Sequence, residues 1–169
     1  PIKPKPDAAF LYALIHVMLP EAPRAKLDRD FLYRHTPSPY LVGANGYYLR
    51  EPATGQPIIA ATLEGKETHV SLETGADGEV LGEGSLEGET AFSKLAAHMK
   101  PYSPEWAERI CDVPAARIRR IANEYLDAAC VGQTIEIEGK TLPYRPVAVS
   151  LGKTVTNGWG GYECCWART

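Results

Sequence analysis

PVAVSLGKTVTNGWGG, residues Pro146 to Gly161, joins two patterns whose combination sets the fold class. Val147, Ala148, Val149 and Leu151 form an apolar run without polar alternation, which predicts a strand buried on both faces, as at the centre of a parallel sheet. The run passes into a bend in which Gly152, Gly158, Gly160 and Gly161 let the backbone approach a ligand closely. Within that bend Lys153, Thr154, Thr156 and Asn157 supply hydrogen-bond donors. A helix is predicted from about Gly160. Strand, loop and helix amino terminus in this order form the arrangement in which α/β proteins bind ligands. The bend suits an anionic or heteroaromatic cofactor, although a tight strand-to-helix turn needs the same glycines. It is not a nucleoside-triphosphate loop, which requires an earlier glycine at fixed spacing before its Gly-Lys-Ser/Thr, whereas here the strand runs directly into Gly152 and Lys153.

Upstream, the chain alternates helical and β-prone stretches. Residues 1–39 read as a helical segment. DAAFLYALIHVML, from Asp7 to Leu19, is rich in helix formers, with Asp7 placed to cap the first turn and Pro20 and Pro23 closing the helix. A second short helix is predicted from about Lys26 to His35, before Thr36-Pro-Ser-Pro39 breaks the pattern. Residues 40–88 read as a β-rich insert of short runs separated by glycine-bearing turns, with Asn45-Gly46 predicted to form a type I′ hairpin turn. Residues 89–169 hold helices predicted at Glu89–Met99, at Ser103–Ile110 with Ser103 as cap, and from Pro114, where Ile118, Ile121, Ala122 and Tyr125 mark the buried stripe. Arg117, Arg119 and Arg120 read as a solvated helical face. TIEIEGKTLPY predicts a hairpin turning at Glu138-Gly139, and the buried strand and loop follow it.

Composition narrows the function classes. With 169 residues, 44% hydrophobic and 23% charged, the chain can bury the core of one domain. A formal net charge of −3 with scattered basic residues gives no electrostatic footprint for nucleic acid or anionic lipid. Direct membrane insertion is not expected, since Phe10 to Leu19 is interrupted by His16 and falls short of the roughly 18 apolar residues of a span. Cys111, Cys130, Cys164 and Cys165 lack the spacing of tetrahedral metal sites, so no metal ligand is assigned. The four histidines lie far apart and no serine has a nucleophile context, so no catalytic residue is assigned. The chain opens at Pro1 and closes at Thr169 inside a helical pattern, the expectation being a piece of a longer protein. The compartment stays open.

Three segments in order resemble the large catalytic subunits of the dimethyl sulfoxide reductase family of molybdopterin oxidoreductases. PIKPKPDAAFLYALIHVML is similar to a family stretch of general form P-I-R-P-G-T-D-A-A-L followed by an apolar helix. KPYSPEWAERICDVPAARIRRIANEY is similar to a Y-T-P-E-W-A and V-P-A-x-x-I-R segment, and RPVAVSLGKTVTNGWGGYECCWART to a strand, loop and helix near the cofactor. The flavour of KTLPYRPVAVSLGK and GGYECCWAR lies nearest the polysulfide, thiosulfate and tetrathionate reductases and the phenylacetyl-CoA oxidoreductases.

The resemblance implies an α/β, Rossmann-like segment with a β-rich insert. It implies a molybdenum or tungsten ion held by two pterin guanine dinucleotides, serving oxygen-atom or two-electron transfer. A 4Fe-4S cluster is implied elsewhere in the full-length protein, not ligated by this segment. Implied partners are the remainder of the catalytic subunit together with separate subunits for iron–sulfur electron transfer and for membrane anchoring. By position Asp7 takes the role of the acidic residue that accepts hydrogen bonds from a guanine, and Gly152, Lys153, Thr154, Asn157 and Gly158 line the cofactor. Lys5 and Pro6 stand where the family has glycine and threonine. The departure supports an alternative, a cofactor-free interaction or scaffold module derived from the family.

Overall fold

The computed structural model describes residues 7–64, 66–74 and 80–149, and for residues 66–74 and 80–87 the backbone alone. Two compact units emerge, one of Arg29–Leu95 and one of Pro1–Asp28 with Ala96–Thr169. In sequence the β-rich segment spans 40–88; the corresponding unit also takes in residues 29–39 before it and 89–95 after it.

In the second unit, α1 runs Asp7–His16 and continues as one wide π turn over Val17–Glu21 with Pro20 inside it. Proline has no N–H and its ring collides with the preceding turn, so an ordinary α register cannot continue there. The chain accommodates it by widening, and the Ala22 amide closes the turn on the Val17 carbonyl at 2.8 Å. α4 follows at Pro104–Cys111, where Ser103 accepts the Trp106 amide at 3.3 Å and Pro104 occupies a position needing no donor. Its carboxyl end is closed by Asp112 in the left-handed region, φ 63°.

α5, Ala115–Ala128, is preceded by Pro114, which cannot cap it with a side chain. Glu108 of α4 replaces the missing cap, its carboxylate accepting the Ala115 amide at 3.2 Å. The core of this unit is Ala13, Ala107, Cys111, Val113 and Ile118, with Phe10, Leu14 and Trp106 packed around it. Ala13 and Ala107 are fully buried, and their small side chains let α1 and α4 approach closely.

The hairpin β4 (Thr134–Ile137) and β5 (Lys140–Pro143) ends the described part of this unit. Glu138 and Gly139 both take positive φ, 50° and 73°, the pattern of a type I′ turn. The predicted buried strand from Pro146 does not form in its described part: residues 144–149 are irregular, and Val149 is 44% exposed. A strand buried on both faces needs hydrogen-bonded neighbours on its edges, and among the described residues every strand pair is antiparallel and none involves this run.

In the Arg29–Leu95 unit, α2 (Arg29–His35) leads into a three-stranded antiparallel sheet. Its strands are β1 (Leu41–Val42), β2 (Lys66–Thr74) and β3 (Val80–Thr90), in the order β1-β3-β2, and α3 (Ala91–Met99) follows. Leu41, Ile58 and Ala60 form the core, with Leu49 against them. The turn at Asn45-Gly46 departs from expectation. Gly46 alone adopts positive φ, at 82°, and the Gly43 amide closes on the Tyr47 carbonyl at 3.0 Å. This is a three-residue loop with a glycine in the left-handed position, held by the Asn45 side chain accepting the Tyr47 amide.

Gly88 on β3 has no room for a side chain: a Cβ there would lie 2.8 Å from Leu49 Cδ1 and 3.0 Å from Leu41 Cβ. Leu49 can rotate away, but Leu41 Cβ is fixed to the backbone of the paired strand. Gly88→Ala is therefore expected to cost about 1–2 kcal/mol, read as a lowered urea midpoint; an unchanged midpoint would show that the strands separate freely at this point.

Candidate functional site

Asp7, the first residue of α1, is half-buried. The helix amino terminus favours a negative charge there, and a carboxylate so placed has the acceptor chemistry that a guanine edge requires. The five other cofactor-facing candidates, Gly152, Lys153, Thr154, Asn157 and Gly158, lie outside the described residues, as do Cys164 and Cys165. Among the described residues no three histidine, cysteine or acidic side chains come together as a metal site, and no helix is long and apolar enough to cross a membrane.

The structure does assemble a polar network that the sequence conceals. His16, at the end of α1 and buried, places Nδ1 2.9 Å from the Met99 carbonyl and Nε2 3.2 Å from Glu21 Oε1. A carbonyl only accepts, so Nδ1–H is the donor in that hydrogen bond. The π turn brings Glu21 into place, and its two oxygens take Arg119 Nη2 at 3.0 Å and Nε at 3.1 Å. The same guanidinium reaches Glu105 through Nη1. Arg119 thus ties α5 to the first turn of α4 and to the π turn, while its neighbour Arg120 pairs within its own helix, with Glu124. The reading of Arg117, Arg119 and Arg120 as one solvated face is corrected at Arg119. Its partners lie 14 and 98 residues away in sequence, beyond any periodicity.

The hydrogen bond from Arg119 holds the Glu105 carboxyl well below its ordinary value of 4.5, at about 2, with the peptide N–H of the helix start adding to the effect. Reciprocal bonds to Glu105 and Glu21 raise the Arg119 guanidinium further above its already high value. A carboxyl depressed in the folded state adds stability that is fully present above about pH 4.5 and is lost as pH falls toward about 2. The Glu105 side chain is 59% exposed, so solvent screening limits the contribution to below about 1 kcal/mol. Glu105→Gln is expected to flatten the acid limb of the stability curve in that window while leaving the curve above pH 5 nearly parallel to the parent. An acid limb of unchanged slope would assign the effect to other carboxylates.

Beside this network, Tyr102 stacks in tilted or edge geometry on Tyr12 at 5.2 Å, Trp106 at 5.1 Å and His98 at 5.6 Å between ring centroids. These contacts join α1, α3 and α4 along the edge of the core. No buried side-chain polar atom among the described residues lacks a partner. What the described residues define is a mixed helix-and-strand segment whose polar groups are engaged in holding elements together.

No family model matches the sequence. The chain is similar to a sulfite dehydrogenase subunit of Allochromatium vinosum, at 33% identity over 141 residues. The alignment takes in 73% of this chain and 14% of that protein, so the chain spans about one seventh of the relative's length.

Proposed function

We propose that the chain is an internal segment of the catalytic subunit of a molybdopterin oxidoreductase of the dimethyl sulfoxide reductase family, in which it helps to seat the cofactor within a Rossmann-like domain. The observation that carries this reading is the similarity, along most of the chain, to the sulfite dehydrogenase subunit. The motifs at Pro1–Leu19, Lys100–Tyr125 and Arg145–Thr169 agree with it. The relative's name, sulfite dehydrogenase, supports a redox-related role. The likeness to polysulfide, thiosulfate and tetrathionate reductases points the same way as that name, toward an inorganic sulfur compound as substrate.

When bound, the metal with its dithiolene ligands supplies the two-electron or oxygen-atom chemistry. The chain's own part is recognition. Asp7 would accept hydrogen bonds from the ring N–H and exocyclic amine of a guanine, and Gly152, Lys153, Thr154, Asn157 and Gly158 would hold the pterin. The network from His16 through Glu21 and Arg119 to Glu105 fixes α1 against α4 and α5, and so fixes the helix on which Asp7 sits. Electrons would leave through an iron–sulfur partner subunit, with a membrane anchor completing the assembly.

The replacement of glycine and threonine by Lys5 and Pro6 favours a second reading, a scaffold module of the same descent without the cofactor. Metal analysis and pterin fluorescence of the intact gene product separate the two. Molybdenum or tungsten together with an oxidised pterin is the expected result; finding neither in the folded protein supports the scaffold.

A further inference from the structure

We propose that Asn45 is a site of spontaneous covalent modification, at which the native loop closes a succinimide with Gly46 and opens it to aspartate and isoaspartate. Asn45 and Gly46 are both exposed, and three features of their loop bear on that reaction. The nucleophile is the Gly46 backbone nitrogen. Gly46 sits at φ 82° with open space where a Cβ would stand, so no side chain obstructs the nitrogen's approach. The electrophile is the Asn45 side-chain carbonyl, whose Oδ1 already accepts the Tyr47 amide at 3.0 Å. That donor lies where negative charge develops as the carbonyl carbon becomes tetrahedral, the arrangement that stabilises an oxyanion. The third feature is the weak hold on the nucleophile. The Gly46 N–H is bonded to the Gly43 carbonyl at 3.0 Å, a contact inside the same loop, and the adjoining Tyr47 is 75% exposed. Attack therefore needs that loop contact released, and no core packing has to move with it.

The step balances with water as the sole co-reactant. The Gly46 nitrogen gives its proton to hydroxide or water and bonds to Asn45 Cγ. The Cγ–Nδ2 bond then breaks, and Nδ2 takes up a proton and leaves as ammonia. Water adds to the resulting cyclic imide at either carbonyl. Opening at Cγ restores an ordinary peptide bond with aspartate at position 45, whereas opening at the main-chain carbonyl routes the backbone through the side-chain carbon and leaves isoaspartate. Either product adds one negative charge to a chain whose formal net charge is −3. Isoaspartate also lengthens the backbone by one carbon inside the ring that the Gly43 amide closes on the Tyr47 carbonyl at 3.0 Å. The loop that holds the hairpin's register is thereby opened with time. The inference is independent of the redox reading, since it uses only the chemistry of this loop.

Peptide mapping by mass spectrometry tests this on the intact gene product, held native in mildly alkaline buffer beside a sample unfolded in guanidinium chloride. The tryptic peptide 35–50 carries Asn45 as its only amide side chain, which separates it from the chain's other Asn-Gly pair, Asn157-Gly158. Releasing one hydrogen bond slows the native reaction by about tenfold at most. Aspartate and isoaspartate are therefore both expected in this peptide, formed at no less than about a tenth of the unfolded rate. Slower native conversion overturns the proposal, because the loop then shields the amide. Conversion to aspartate alone overturns it as well, since direct hydrolysis of the side chain makes no isoaspartate. Asn45→Gln keeps an amide but would have to close a larger ring, and its peptide is expected to stay unmodified over the same interval. Conversion of that variant at the parent's rate would place the reaction outside the Asn45-Gly46 ring closure and overturn the assignment.

Discussion

Ile118→Ala is expected to lower the unfolding free energy by about 3 kcal/mol, the largest loss among single substitutions in the α1, α4 and α5 core. Ile118 is fully buried on α5, against Ala13, Ala107, Cys111 and Val113. Those neighbours are small and sit on α1, on α4 and on the connection between α4 and α5, so none can extend to fill the space that a truncated side chain leaves. The cavity therefore persists, and its cost adds to the lost transfer free energy of the removed carbons. Ile121→Ala, one turn on and half-buried, is the control and should cost about 1 kcal/mol. Urea unfolding with an unchanged slope checks both. If Ile118→Ala cost no more than the control, the three helices would have to close around the gap, and the close approach at Ala13 and Ala107 would not be rigid.

Asp7→Ala is expected to weaken cofactor retention in the intact protein by about tenfold or more, the worth of a charge-assisted hydrogen-bond pair. Asp7 is the first residue of α1, where its charge favours the helix amino terminus, so a weakened helix start is the competing cause of any effect. Asp7→Glu divides the two. Glutamate keeps the charge at the helix start, but its longer side chain displaces the paired acceptor oxygens from a guanine edge. Guanine recognition predicts that both variants lose metal and pterin on gel filtration while Asp7→Glu keeps the parent's melting temperature. Full retention of metal by Asp7→Ala would remove Asp7 from the site.

Local chemistry made much of the secondary structure readable in advance. Ser103 followed by Pro104 announces α4 because a side-chain acceptor and a missing N–H both suit the first turn. Pro114 stands immediately before α5 and lends it no side-chain acceptor, a part taken by Glu108, and Glu138-Gly139 turns the β4–β5 hairpin as its sequence indicates. Within α5, Ile118 and Ala122 are buried as their spacing predicts, but Leu126 completes the stripe where Tyr125 was expected. Residues three and four apart share nearly the same helix face, and which one turns inward depends on the neighbouring element. The type I′ expectation at Asn45-Gly46 gave way to a three-residue loop because one glycine in the left-handed region already satisfies the closing hydrogen bonds.

Residues adjacent in sequence determined where helices begin and where turns fall, because capping, ring closure at proline and positive φ act over a few residues. Tertiary structure decided that Arg119 binds two carboxylates while Arg120 stays in its own helix, that Glu108 caps a helix other than its own, and that Pro20 is absorbed in a widened turn. It also decided that residues 146–149 stand as an irregular, largely exposed run. Apolar composition states that a segment seeks cover, whereas hydrogen-bonded strand neighbours arise only from segments brought together in space.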